Sequence, residues 1–128
     1  MNVINKYIEA INSADVDWIC DLLAQDHTFI DSQDNRFTGI EKMRIGWTQY
    51  FEMFPDYKIE VNETLENELM VCLFGYASGT YKNLMNEENS NFWRIPAAWK
   101  VMVKDDKIKL WQVYADNLIV MDILNRNQ

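Results

Sequence analysis

The sequence predicts an α+β fold, with three helices layered on one face of a curved antiparallel sheet. Three observations carry that expectation. In three stretches before Pro55, Val3 to Ile11, Val16 to Leu23 and Ile40 to Phe54, apolar residues recur mainly three and four positions apart, the period of helices buried along one side. From Tyr57 onward the period drops to two, as Tyr57, Ile59 and Val61 alternate with Lys58, Glu60 and Asn62. Two long apolar runs, Leu69 to Tyr81 and Phe92 to Val103, then follow. Gly75 and Gly79 inside the first of them point to bulges or sharp bends.

The elements follow in order. Val3, Ile4, Tyr7, Ile8 and Ile11 define a first amphipathic helix, and Asn12-Ser13-Ala14-Asp15 interrupts it. Asp15 or Ser13 can cap a second helix, which carries Val16, Ile19, Cys20, Leu22 and Leu23 and is expected to end near Gln25. His27 to Ser32 reads as a short strand, Gln33-Asp34-Asn35 as a turn, and Arg36-Phe37-Thr38 as a returning strand. Thr38 and Glu41 match a capping box, so the third helix is expected from Gly39 to about Met53, with Pro55 as its stop. Four strands joined as hairpins come next. The turns fall at Glu66-Asn67-Glu68, in a polar loop from Lys82 to Asn91, and at Asp105-Asp106. Ile108 to Ala115 is the last strand, and Leu118 to Asn125 reads as a terminal helix or an extended tail.

One domain over residues 1–128 is the expectation for 128 residues. Such a chain can bury roughly 65–70% of its unfolded surface, enough for a core without staples. At 48% apolar and 25% charged residues, disorder is not expected. The net charge of −8 and the lack of a basic tract argue against nucleic acid or an anionic membrane as partner. No apolar run approaches 18 residues, and the N-terminus lacks the pattern of a signal peptide. Cys20 and Cys72 lie in apolar runs, which reads as free thiols in a reducing, cytoplasmic setting. One histidine and two distant cysteines give no metal-ligand spacing, and no glycine-rich phosphate loop is present, so no metal or cofactor is expected.

Several residues have chemistry to offer. Asp31 ends a short strand; a carboxylate there, turned into an apolar cavity, could move protons. The alternative is a turn cap beside Ser32 and Asp34. His27 and Phe29 share its strand parity and are candidate pocket walls. For His27 the competing reading is a buried, hydrogen-bonded structural histidine. Tyr7 lies on the buried stripe of the first helix, and a buried phenol needs a partner. Trp47, Phe51 and Trp99 are candidate cavity walls or plain core. Tyr114 is a further candidate pocket wall, and Asp116 follows it at strand parity, where it either faces the pocket or caps the terminal helix. Arg94 either holds an anionic ligand or pairs with a neighbouring acid.

The element order resembles the nuclear transport factor 2-like superfamily, in its SnoaL-like and ketosteroid-isomerase-like branch. The words that carry it are Lys6-Tyr7-Ile8-Glu9, Asp26-His27-Thr28-Phe29-Ile30-Asp31, Phe37-Thr38-Gly39, Ala77-Ser78-Gly79-Thr80-Tyr81 and Trp111-Gln112-Val113-Tyr114-Ala115-Asp116. The resemblance implies a cystatin-like cone, with the helices on the concave side of the sheet around a deep apolar pocket, and dimers formed through the outer sheet face. It implies Asp31 as catalytic base and Tyr7 as oxyanion donor, as in ketosteroid isomerase, where a second, protonated aspartate would fall at Trp99. By the pattern of SnoaL-like cyclases it implies Asp116 as acid/base, with their paired histidine replaced by Tyr81.

Two functions follow as expectations. The first is a cofactor-free isomerase, cyclase or dehydratase acting on a small apolar carbonyl compound, with the Tyr7 hydroxyl and Asp31 within one ligand's reach, about 4–8 Å apart. The second is a pocket protein that binds a small apolar ligand, or a dimeric assembly module, without catalysis. Apolar residues at both parities of the strand Phe92–Val103 predict a homodimer, because both of its faces need cover.

Overall fold

The computed structural model describes residues 1–82 and 91–127. Its elements are α1 (Asn2–Asn12), α2 (Val16–Asp21), β1 (Leu23–Ile30), β2 (Arg36–Thr38), α3 (Ile40–Met53), β3 (Lys58–Glu66), β4 (Val71–Thr80), β5 (Phe92–Lys104), β6 (Lys107–Ala115) and α4 (Leu118–Arg126). The polar loop expected between Lys82 and Asn91 lies, but for its ends, outside the described residues.

One six-stranded, curved and unclosed sheet has the order β2-β1-β6-β5-β4-β3. The α+β class is therefore as the periodicity predicts. The sheet, however, is mixed. β3–β4, β4–β5, β5–β6 and β1–β2 pair antiparallel, while β1 runs parallel to β6. The long connection from β1 to β6, through β2, α3 and β3 to β5, supplies the crossover that a parallel pairing requires.

The same pairing changes the local assignment. α2 stops at Asp21, and Leu23 already pairs with Ile108 in the strand that was expected to begin at His27. The ladder is irregular between Leu23 and Thr28. Long-range pairing thus overrides the helical pattern of Leu22 and Leu23. Asp15 caps α2, its carboxylate accepting from the Trp18 N–H at 3.1 Å. The expected capping box at Thr38 and Glu41 does not form. Thr38 is held in β2 opposite Thr28, and Gly39 caps α3 with φ +99°, making no side-chain cap bond. α3 ends at Met53, with Phe54 as its cap ahead of Pro55.

Curvature has a visible cause at Gly75. A Cβ there would lie 1.7 Å from the Glu60 carbonyl oxygen, so only glycine lets β3 come this close. A register shift between Val61 and Glu63 sits beside it. At the far hairpin, Asp105 and Asp106 both take positive φ, 52° and 61°, which closes a tight two-residue turn between Lys104 and Lys107.

Along β5, Trp93, Ile95, Ala97, Trp99 and Val101 are buried while Phe92, Arg94 and Pro96 are exposed. The buried set meets Val3, Ile4, Tyr7, Ala10 and Ile11 of α1 and Met43 and Trp47 of α3 in one core. The Asn12 side chain fastens α1 to the edge strand β3, donating to the Ile59 carbonyl (3.0 Å) and accepting from the Ile59 N–H (2.8 Å). Among the described residues no helix is long and apolar enough to cross a membrane.

Candidate functional site

A cleft of about 180 Å³ opens at one end of the sheet. Its walls are Tyr50 from α3, Tyr57 just before β3, Ala77 from β4, Trp93, Ile95 and Ala97 from β5, and Val113 and Ala115 from β6. Asp31, Ser32 and Asn117 form its polar margin. The rings stand close together: Tyr50 and Tyr57 are perpendicular at 4.9 Å, and Tyr57 and Trp93 lie 6.1 Å apart. Burial pushes both phenols above the ordinary tyrosine range, so they stay protonated at neutral pH.

Asp31 is fixed by its own turn. Its carboxylate accepts from the backbone N–H groups of Gln33 and Asn35, both at 2.9 Å, and from the Asn35 side-chain amide at 3.1 Å. It therefore caps the β1–β2 turn and lines the cleft as well. Asn117 donates to the Ser32 hydroxyl at 2.6 Å. At the other end of α4, Asn127 donates to the Asn91 side-chain oxygen at 3.1 Å, two residues before Trp93. α4 is thus tied at both ends to segments that carry cleft residues.

The remaining residues singled out by sequence fall elsewhere. Tyr7 is fully buried and is not among the residues that line the cleft; its ring meets Trp111 edge-on at 4.8 Å. Burial raises its pKa, and the nearby Trp47 indole lowers it in part. Among the described residues neither the Tyr7 hydroxyl nor the Trp47 N–H has a hydrogen-bond partner. Trp47 and Trp99 are buried in the core and Phe51 is half-buried; Trp47 packs against the cleft rings Tyr50 and Tyr57 at 6.2 and 6.3 Å without itself lining the cleft. Phe51 stacks on Trp47 at 5.3 Å, Phe29 meets Trp47 edge-on at 6.1 Å, and Trp99 lies 6.2 Å from Trp111.

His27 is fully buried, and its Nδ1 donates to the Ile108 carbonyl at 2.9 Å. That bond bridges the irregular stretch of the β1–β6 ladder. Desolvation lowers its pKa, so the ring is neutral. Burial along β1 does not alternate, which is why strand parity does not sort His27 and Asp31 onto one wall. Asp116 is exposed and accepts from the Leu118 N–H at 3.0 Å, capping the start of α4. Tyr81 packs on Phe54 at 6.0 Å, and Tyr114 lies exposed on the outer sheet face. Arg94 pairs with Glu60 at 3.0 Å and covers the Tyr76 ring at 3.7 Å.

Tyr50, Tyr57 and Trp93 are the aromatic walls that sequence reasoning does not single out as site residues. The signals were present: Tyr50 is one turn past Trp47, and Tyr57 and Trp93 each begin an alternating strand pattern. Among the described residues no cluster of His, Cys, Asp or Glu could hold a metal ion.

Comparison with known proteins agrees with this architecture. The family described as SnoaL-like domain matches residues 4–111. No curated protein matches the chain. Among solved structures, a hypothetical protein with a ketosteroid isomerase-like fold from Catenulispora acidiphila DSM 44928, in complex with trimethylamine, superposes with TM-score 0.81 at 16% identity, over 94% of this chain and 89% of its own. A candidate SnoaL-like polyketide cyclase from Shewanella denitrificans OS-217 gives 0.81 at 13% identity, over 98% and 96%. An NTF2-like protein of unknown function from Cytophaga hutchinsonii ATCC 33406 gives 0.69 at 18% identity, over 91% and 88%.

Proposed function

The chain belongs to the SnoaL-like domain family, and on that premise we propose that its cleft binds a small, mostly apolar organic molecule. The observation that carries this reading is the composition of the cleft: aromatic and small aliphatic walls, with Asp31, Ser32 and Asn117 gathered at the margin. Its volume of about 180 Å³ equals roughly six waters at ~30 Å³ each. That favours a compact molecule over a fused four-ring one. The trimethylamine complex of a structural relative supports ligand binding by this fold. The test is NMR titration with a panel of compact ketones, alcohols and amines. The expected result is shifts confined to the Trp93 indole and the Tyr50 and Tyr57 rings. Shifts confined to the outer sheet face, or none with any compound, would refute it.

Proton transfer is the second reading, favoured by Asp31 as the one carboxylate among the described residues that line the cleft. There it would take a proton from a carbon beside a carbonyl, while the Tyr50 or Tyr57 hydroxyl donates to the developing enolate oxygen. Returning the proton to another carbon completes an isomerisation. Exchange of ketone α-hydrogens in D₂O, lost in Asp31→Asn, tests it; no exchange above buffer refutes it. A homodimer is part of the proposal. Phe74, Tyr76, Pro96, Ala98 and Tyr114 form an apolar surface on the outer sheet face, which the described helices leave uncovered.

A further inference from the structure

The charge of the cleft narrows the class of ligand beyond small and apolar. Among the described residues that line it, Asp31 is the one with an ionisable carboxylate, and none is a lysine or arginine. The Asp31 carboxylate does not swing out to meet a distant cation, because three hydrogen bonds hold it in its turn. Arg36, on the neighbouring strand β2, is engaged by Asp34 at 3.7 Å and does not line the cleft. The cleft that this carboxylate lines is also walled by three electron-rich rings, with Tyr57 4.9 Å from Tyr50 and 6.1 Å from Trp93. Ring faces attract cations through their quadrupole, and the attraction grows as the site is shielded from water. Tyr57 and Trp93 are 8% and 3% exposed, so that shielding is present on two of the three walls.

We propose that the cleft selects a small alkylated ammonium ion, whose methyl groups meet the aromatic wall while its charge faces Asp31. The inference rests on the reading of this cleft as a ligand site. An anion would meet the Asp31 charge without a compensating cation, and a neutral molecule of the same shape would forgo both the carboxylate and the ring faces. An ammonium carrying several N–H donors is served less well than an alkylated one. Asp31 already accepts three hydrogen bonds, and the tyrosine and tryptophan walls offer faces more than acceptors.

The experiment compares choline with 3,3-dimethylbutan-1-ol, its uncharged isostere, by calorimetric titration of the intact protein, with the Trp93 indole N–H followed by NMR. Choline is expected to bind about tenfold more tightly than the isostere, a difference that cation–π and charge attraction together can supply. Asp31→Asn keeps the side-chain oxygen that caps the turn, so it is expected to fold. It should lower choline affinity by about tenfold and leave the isostere unchanged. Tyr50→Leu, at the more exposed ring, should weaken choline in the same sense. Equal binding of the two compounds, or an Asp31→Asn variant that binds choline as before, overturns the cation proposal while leaving the ligand cleft intact. If neither compound moves the Trp93 signal, both the proposal and the reading beneath it fall.

Discussion

Lowering the pH isolates one residue, because His27 is the only histidine. Its ring is fully buried, donates from Nδ1 to the Ile108 carbonyl at 2.9 Å, and leaves Nε2 without a partner among the described residues. Protonating Nε2 would place an uncompensated charge in the core, and desolvation accordingly lowers its pKa from 6.5. In the unfolded chain the ring titrates normally. Above pH ~6.5 both states hold it neutral and the stability is fully present. As the pH falls below that value the unfolded state binds a proton that the folded state refuses, so stability declines until the depressed folded pKa is reached. The slope is at most about 1.4 kcal/mol per pH unit for one proton, so stability at pH 5.5 should lie up to ~1.4 kcal/mol below that at pH 8. For a domain of this size that is a drop of roughly 5 °C in Tm. Urea denaturation at pH 8, 6.5 and 5.5 measures it. His27→Asn can keep a donor near Nδ1 but has no titratable group, so it should be less stable throughout and flat across this window. A flat wild-type profile, or a variant with the same slope, would refute the reasoning.

Gly75→Ala should destabilise by about 2 kcal/mol or more in chemical denaturation, since the new Cβ would sit 1.7 Å from the Glu60 carbonyl and force β3 away from β4. Asp15→Ala removes the acceptor for the Trp18 N–H and should cost about 1 kcal/mol in the same assay, with little change in the rest of the fold. If the outer sheet face joins two copies, sedimentation velocity should show a dimer for the wild type. Tyr114→Glu, an exposed position on that face, should give a monomer of unchanged helix and strand content. A wild type that sediments near 15 kDa at every accessible concentration removes the dimer.

What the sequence determined by itself is local. Apolar spacing of three and four fixes α1 and α3, because a helix must bury one stripe; Ile4, Tyr7, Ile11, Met43 and Trp47 face inward as that spacing requires. Alternation fixes β5, where Trp93, Ile95, Ala97 and Trp99 all point to the core. Asp15 as a cap and Asp105-Asp106 as a turn are equally local, since each depends on a few neighbouring backbone groups. Tertiary structure decided what depends on partners far along the chain. The parallel pairing with β6 draws Leu23 into β1, ends α2 early, and interrupts the strand so that His27 turns into the core to bond Ile108. Pairing of Thr38 with Thr28 leaves the helix cap to Gly39. The cleft is decided at the same level. Asp31, Tyr50, Tyr57, Trp93 and Asn117 come from five separate segments that only the tertiary fold brings to one opening, whereas Trp47 packs against Tyr50 and Tyr57 and Trp99 against Trp111 without lining it. Periodicity tells which side of an element is buried; it does not tell where along a cone the buried side chains meet or where they leave room, because that depth is set by how the sheet bends at Gly75 and by how the helices pack across it.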